Sequence, residues 1–329
     1  PPCRVWMEEG RERRSDPWVS EHVTNLISHT SAGVQISGRG YVRKSRWPHV
    51  SGPRTARWVR VPAMDTTFTP SHRGGSGSPL LLLHGFTDTW RTWELILPEL
   101  EKHHDVLALT LAGHAGGPEI TEGISEEVVL DEIEMAMDEA GFGKAHIAGN
   151  SLGGYLSLKM AERDRAESVV ALAPAGGWAE GDESFRDALD FFVTMRAQLE
   201  GVLPYVETIV STPEGRRGAT QFITVNYEHI PSDLIAHQIV GAATAPGVIE
   251  LVGTATDHGW SLDPEKVTCP VRIVWGTEDR ILAYPRTAAR FRNSWLPNAD
   301  WVELEGVGHC PQLDVPAETA QLILGFTDN

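Results

Sequence analysis

Short apolar runs alternate with amphipathic stretches along most of the chain after residue 79. The apolar runs typical of buried strands are 80–83, 105–111, 144–149 and 168–172. The stretches between them favour helices at 90–102, 125–140 and 152–163, with Ser125 as a candidate N-cap of the second helix. Strands that alternate with helices predict a parallel sheet covered by helices on both faces.

This alternation is interrupted between residues 177 and 264. That segment carries helical patterns, as at 183–200 and 232–241, and no run typical of a buried strand. The alternation then resumes with strands at 271–275 and 301–304 and helices near 284–293 and 316–327. A helical lid inserted into one sheet explains the pattern, and a separate second domain is the alternative. The lid is favoured because the later strands resume in the same style.

The first 56 residues differ from the rest in pattern and charge. They have weak periodicity, and residues 1–60 hold 11 Lys and Arg against 5 Asp and Glu in a chain whose net charge is −17. We predict a basic extension at 1–56 that is disordered or loosely docked, or that stands outside the working protein. The predicted division continues with a core at 57–176, the lid at 177–264 and the rest of the core at 265–329.

Composition restricts the possible partners. With 41% apolar and 22% charged residues the chain is typical of a globular protein, and its acidity argues against nucleic acid or an anionic membrane surface as a partner. No stretch reaches the ~18 apolar residues of a membrane span. The three cysteines lack the spacing of a disulfide framework or a zinc site, so a reducing, cytoplasmic location is expected. Because motifs for nucleotides and metals are missing, we expect no cofactor and no metal.

The strongest chemical signal is Gly149-Asn150-Ser151-Leu152-Gly153. It stands after a predicted strand and before a predicted helix, where a sharp turn exposes the central serine as a nucleophile. The flanking glycines leave room for chain segments that a Cβ would obstruct. The pattern predicts Ser151 as the nucleophile.

A serine nucleophile requires a base and an orienting carboxylate. His309 follows the predicted strand 301–304 in a glycine-containing loop and is the candidate base. Asp279 follows the strand 271–275 and is the candidate acid, with Glu278 as the adjacent alternative. The resulting order of serine, acid and histidine is typical of a strand–turn–helix nucleophile.

Two backbone N–H groups are candidates for an oxyanion hole. One is that of Leu152, directly after the nucleophile, and the other is that of Phe86, in the loop after strand 80–83. His84 in the same loop is predicted to brace it by hydrogen bonding. His114, in a later loop, is predicted to be structural.

Four motifs together resemble the α/β-hydrolase family over about residues 66–329. They are His84-Gly85-Phe86, the run from Gly149 to Gly154, the run from Trp275 to Asp279, and Gly308-His309. The resemblance implies an α/β-hydrolase fold with a mostly parallel sheet of about eight strands and a lid, and it carries the roles above to Ser151, Asp279, His309, Phe86 and Leu152. One departure is Thr110, where many relatives have an aspartate that braces a loop.

The resemblance leaves three reactions open. A serine nucleophile argues against epoxide hydrolases and haloalkane dehalogenases, which resemble this family in fold but use an aspartate. Hydrolysis of a small-molecule carboxylic ester is favoured. Cleavage of a carbon–carbon bond in meta-cleavage-type diketones is the alternative, because the run from Gly149 to Gly154 and Pro174-Ala175-Gly176-Gly177 are similar to that subfamily, although Cys310 stands where its members have a tryptophan. A non-catalytic ligand-binding relative is the third possibility.

Overall fold

The computed structural model describes residues 67–119 and 123–327, together with the backbone of three two-residue strands before them. The chain divides into two compact units, Pro1–Ala63 and Met64–Asn329. In the first unit, strands pair antiparallel in the order β1 (Ile36–Ser37), β2 (Tyr41–Val42) and β3 (Val59–Arg60). The prediction for 1–56 falls mostly outside the described residues and stays a prediction.

The second unit is built on a seven-stranded sheet. Its strands are β4 (Ser71–Gly75), β5 (Ser78–Leu83), β6 (His104–Leu109), β7 (Ala145–Asn150), β8 (Ala166–Leu172), β9 (Val271–Gly276) and β10 (Asp300–Leu304). They lie in the order β10-β9-β8-β7-β5-β6-β4, and all pairs are parallel except β4 with β6. The expected mostly parallel sheet is confirmed, with seven strands among the described residues against the eight that the resemblance implied.

The leucine run in β5 shows why this sheet is buried on both faces. Leu80 and Leu82 belong to one hydrophobic cluster, whereas Leu81 and Leu83 belong to the cluster on the other side. Successive side chains of a strand point to opposite faces, so a continuous apolar run supplies both cores at once. All four side chains are fully buried.

One predicted loop is a strand. The glycine- and serine-rich composition from Pro70 to Pro79 predicts a turn or short linker. That prediction is wrong for β4. Its five residues pair antiparallel with β6, in register from Ser71 opposite Leu109 to Gly75 opposite Asp105. The strand lies at the edge of the sheet and is only partly buried, so it needs no apolar run that a sequence pattern could reveal.

Helices cover the sheet, and several of them lie in the stretch of chain that connects β8 to β9. They are α1 (Leu97–Leu100), α2 (Glu126–Ala140), α3 (Leu152–Glu162), α4 (Phe185–Val202), α5 (Val206–Val210), α6 (Pro213–Thr220), α7 (Ser232–Thr244), α8 (Val248–His258), α9 (Pro311–Asp314) and α10 (Pro316–Thr327). Ser125 caps α2 by accepting a hydrogen bond from the N–H of Val128, as predicted. The expected helices at 90–102 and 284–293 are instead short turns of helix, at Trp90–Trp93, α1, Arg286–Ala288 and Phe291–Trp295.

The described chain between β8 and β9 is helical, and α4 to α8 lie there. The use of 177–264 as a lid, and the boundaries of the core on either side, stay predictions. Among the described helices, none is by itself long and apolar enough to cross a membrane, and α7 with α8 passes that test only as a pair bent by 67°.

Candidate active site

Ser151 lies on a sharp turn between β7 and α3. Its backbone has φ 54° and ψ −114°, a conformation that L-residues with side chains rarely adopt. The turn depends on Gly153, because a Cβ there would lie 2.1 Å from the carbonyl oxygen of Leu83. The N–H of Ser151 donates to Leu172 O at 2.9 Å, which ties the strained residue to β8. The fold therefore fixes the direction of the serine side chain.

His309 and Asp279 meet beside this turn, on the loops that follow β10 and β9. His309 Nδ1 donates to Asp279 Oδ2 at 2.7 Å, and both side chains are buried. Asp279 Oδ1 also accepts hydrogen bonds from the N–H groups of Ile281 and Leu282, at 2.9 and 2.7 Å, which holds the carboxylate in place. Glu278, the alternative acid, is exposed. Nδ1 of His309 is hydrogen-bonded to Asp279, so Nε2 is the ring nitrogen available to a substrate. His309 and Ser151 line the same cavity.

The two candidate oxyanion donors both lie next to the nucleophile. Leu152 is the first residue of α3, where helical N–H groups point outward with the positive end of the helix dipole. The loop of Phe86 lies against the nucleophile. A Cβ added to Gly85, the residue before Phe86, would be only 3.3 Å from the Ser151 Cβ. Among the described residues, neither the N–H of Phe86 nor that of Leu152 has a backbone acceptor.

His84 joins the loop of Phe86 to the next loop along the sheet. Its Nδ1 donates to Gly85 O at 2.7 Å, and its Nε2 accepts from the N–H of Leu111 at 2.9 Å. This pairing requires a neutral imidazole, and burial lowers the pKa of His84 well below its usual value. The bracing contacts expected of His84 are present. Thr110 makes further ones, since its hydroxyl donates to Thr69 O at 3.0 Å.

His114 contacts the edges of His84 and Phe86, with ring centroids 4.8 and 5.8 Å away. Its Nδ1 donates to Ala112 O at 3.2 Å, and burial lowers its pKa to about 4. Both features fit the structural role that the sequence predicted. The ring also lines a cavity at Ser151.

Asn150 is a site residue whose role the sequence does not reveal. Its amide nitrogen donates to Leu172 O at 3.2 Å and to His309 O at 3.0 Å. Its amide oxygen accepts from Cys310 Sγ at 3.3 Å and from Gln312 Nε2 at 3.1 Å. Asn150 therefore ties the nucleophile turn to the histidine loop. The partners on the histidine side lie about 160 positions away along the chain, so no local pattern could identify them.

Asp314 is a second residue that holds the histidine loop in place. The buried carboxylate of Asp314 accepts hydrogen bonds from the N–H groups of Gly308, Val225 and Asn226, and from the Asn226 side chain. The N–H of Cys310 donates to Ile223 O at 2.9 Å. The residue before His309 and the residue after it are thus bonded, directly or through Asp314, to the helical segment between β8 and β9.

Ser151 lies where two cavities adjoin. The larger, of about 360 Å³, runs between Tyr155, Trp178 and Trp260 and is mainly apolar. The smaller, of about 120 Å³, is lined by His309 and by further polar side chains, among them Asp88 and Gln238. Ser151 and Phe86 line both cavities. A molecule bound across the nucleophile would therefore place one part in each.

Comparisons with known proteins agree with this geometry. Residues 80–322 match the family described as Alpha/beta hydrolase family. The chain is 28% identical over 205 residues to epoxide hydrolase EphH of Mycobacterium tuberculosis (strain ATCC 25618 / H37Rv), covering 62% of this chain and 96% of that relative. It is 23% identical over 261 residues to Lipase 3 of Moraxella sp. (strain TA144), covering 77% of this chain and 78% of that relative.

A solved structure shares the fold. A mutant of the meta-cleavage product hydrolase CumD of Pseudomonas fluorescens IP01, complexed with acetates, superposes with a TM-score of 0.56 at 22% identity, covering 78% of this chain and 93% of that one. The family match spans the nucleophile turn, the acid and the histidine alike. This protein, a hydrolase-type enzyme, belongs to the alpha/beta hydrolase family.

Proposed function

We propose that this hydrolase cleaves carboxylic esters through an acyl-enzyme formed on Ser151. The observation that carries the proposal is the 2.7 Å hydrogen bond between His309 and Asp279, at a histidine that lines the same cavity as the strained serine. A hydroxyl is a weak nucleophile at neutral pH, and an oriented imidazole is the group that activates it.

In the proposed mechanism Ser151 Oγ attacks the ester carbonyl carbon while its proton passes to His309 Nε2. Asp279 stabilises the imidazolium that forms. The N–H groups of Phe86 and Leu152 bind the oxyanion. Collapse of this intermediate breaks the bond to the alcohol oxygen, which takes the proton from His309. Water then repeats the sequence on the acyl-enzyme, releasing the acid and restoring Ser151.

The similarity to a lipase supports ester chemistry, since lipases are ester hydrolases. The relative named an epoxide hydrolase supports it less, because epoxide hydrolases that resemble this fold use an aspartate nucleophile and this chain has Ser151. The mainly apolar larger cavity suits a hydrocarbon acyl chain.

Carbon–carbon bond hydrolysis is the second candidate. It is supported by the motifs around Ser151 and Pro174 and by the shared fold of a meta-cleavage product hydrolase. Asn150 does not favour it, because the hydrogen bonds of its amide all go to the protein itself. Cys310, in place of the tryptophan of that subfamily, argues against it.

The test is hydrolysis of p-nitrophenyl butyrate together with labelling by a fluorophosphonate probe. Ser151→Ala is expected to abolish labelling and to lower kcat at least ~10³-fold, as for other serine nucleophiles. Ser211→Ala is the matched control, since Ser211 is exposed and bonded only locally, to Thr208 O.

Two outcomes would contradict the proposal. A wild-type protein that is not labelled, or a Ser151→Ala variant that keeps its esterase activity, would exclude Ser151 as the nucleophile. If the labelled enzyme cleaves a meta-cleavage-type diketone and no ester, carbon–carbon hydrolysis replaces the ester reaction.

A further inference from the structure

The smaller cavity beside Ser151 is placed to hold the leaving group. In the proposed ester reaction His309 delivers a proton to the departing oxygen, so the leaving group lies on the side of His309. His309 lines the cavity of about 120 Å³ and is not part of the lining of the larger one. The acyl part then occupies the larger cavity. This assignment rests on the proposed function.

Most of this cavity is apolar. Phe191, Met195, Leu199 and Ile281 form part of its wall. Its volume of about 120 Å³ suits a small group. An apolar wall alone would suit a short alkyl alcohol.

Asp88 and Gln238 bring hydrogen-bond acceptors into this mainly apolar wall. Asp88 follows the oxyanion loop, and its carboxylate accepts from the N–H of Thr89 at 2.8 Å and from Gln238 Nε2 at 3.1 Å. Gln238 Oε1 is buried and has no hydrogen-bond partner among the described residues. Asp88 and Gln238 both line the cavity.

Asp88 and Gln238 together offer more hydrogen-bond acceptors than protein donors fill. An ionised carboxylate offers about four acceptor positions, and hydrogen bonds from Thr89, Thr92 and Gln238 fill three of those of Asp88. Burial raises the pKa of Asp88 to about 6, with hydrogen bonds from Thr89, Thr92 and Gln238 opposing it and no basic side chain contributing. A buried acceptor without a donor is unfavourable, so a ligand that brings a donor is stabilised here.

We propose that the substrate is an ester whose leaving group carries a hydrogen-bond donor, a hydroxyl or a protonated amine, which binds between Asp88 and Gln238. These residues determine specificity and take no part in bond cleavage. A donor on a short alcohol would bind near them when the ester carbonyl is at Ser151, because Ser151, Asp88 and Gln238 border one small cavity.

Matched pairs of hexanoate esters test the proposal. The 3-hydroxypropyl ester is compared with the butyl ester, which replaces the hydroxyl by a methyl group. The 2-(dimethylamino)ethyl ester, protonated at neutral pH, is compared with the 3-methylbutyl ester of the same shape. Each ratio of kcat/KM is divided by the ratio of hydroxide-catalysed rates, which removes differences in chemical reactivity.

We expect a preference of at least about tenfold for one or both donor-bearing esters, the size of one well-placed hydrogen bond to a charged or buried acceptor. Asp88→Asn and Gln238→Met are expected to reduce it to about twofold or less. Loss of the amine preference in Asp88→Asn marks an ammonium group as the natural donor, and loss of the hydroxyl preference in both variants marks an alcohol.

Asp233→Asn is the matched control, because Asp233 lies on the same helix as Gln238 but is exposed and paired with Arg91. It should keep the wild-type preference. Equal normalised rates within each pair, in an enzyme that hydrolyses all four esters, would overturn the proposal and leave the ester reaction standing. If no ester is hydrolysed, the proposed function fails and the leaving-group site fails with it. A preference that survives both substitutions would also overturn it.

Discussion

Replacing Asp314 by asparagine tests whether a buried carboxylate holds the loop of His309. Asp314 Oδ2 accepts from the N–H groups of Gly308 and Val225, at 2.6 and 2.9 Å. Its Oδ1 accepts from Asn226 N at 2.7 Å and from Asn226 Nδ2 at 2.8 Å. An asparagine has one acceptor oxygen, so its amide nitrogen must face one of these two donor pairs.

Two donors then lose their acceptor. A buried donor without a partner costs about 1–3 kcal/mol, and the donors on the exposed residues Val225 and Asn226 recover part of this from water. Asp314→Asn is therefore expected to lower the free energy of unfolding by about 1–3 kcal/mol. Gly308 directly precedes His309, and a displacement of a catalytic group by ~1 Å can reduce the rate about 10²-fold. The folded variant is therefore expected to lose about ten- to a hundredfold in kcat/KM for ester hydrolysis.

Urea unfolding followed by tryptophan fluorescence measures the stability, and kcat/KM is measured without urea, where the variant is folded. Glu318→Gln is the control, since it removes the same charge from an exposed position in the first turn of α10 and should change stability by less than about 0.5 kcal/mol. An Asp314→Asn protein as stable and as active as this control would show that Asp314 does not hold the loop of His309.

Two further predictions concern packing and acid stability. Gly153→Ala should fail to fold or lose several kcal/mol, because the new Cβ would lie 2.1 Å from Leu83 O, whereas Gly253→Ala in α8, with nothing within 4 Å, should fold normally; equal urea midpoints would contradict this. His114 has a pKa of about 4 in the folded protein and about 6.5 when unfolded, so the unfolded state binds more protons between these values and stability falls as the pH falls. Asp88, with its pKa raised to about 6, acts in the opposite direction. His114→Leu should reduce the stability lost between pH 6.5 and 5 by about 2 kcal/mol, and an unchanged loss in urea titrations at the two pH values would refute the assignment.

The sequence predicts those parts of the site that depend on local order. Ser151 is recognisable because a strand, two glycines and a helix must follow one another within a few residues. The order of the strands also singles out Asp279 and His309 as the side chains that follow β9 and β10. The edge strand β4 was missed because a partly exposed strand of polar residues and glycine has no apolar signature.

The braces of the site could not be predicted, because each joins distant parts of the chain. Asn150 and His309 are separated by 159 positions, and Asp314 and Val225 by 89. Nothing near Asn150 distinguishes an amide that tethers a loop from one that contacts substrate. The acceptors at Asp88 and Gln238 meet across 150 positions, and only the folded chain shows that one of their oxygens lacks a donor.

The position of Ser151 between two cavities also sets an order of events. In the proposed ester reaction, once the serine is acylated, the attacking water must come from the side of His309, because that residue has to take its proton. The smaller cavity lies on that side and still holds the alcohol just released. Water and alcohol therefore compete for one position, and an alcohol that leaves slowly attacks the acyl-enzyme and re-forms the ester, which frees Ser151. The rate at which the alcohol departs therefore decides how much of the acyl-enzyme is hydrolysed and how much reverts to ester.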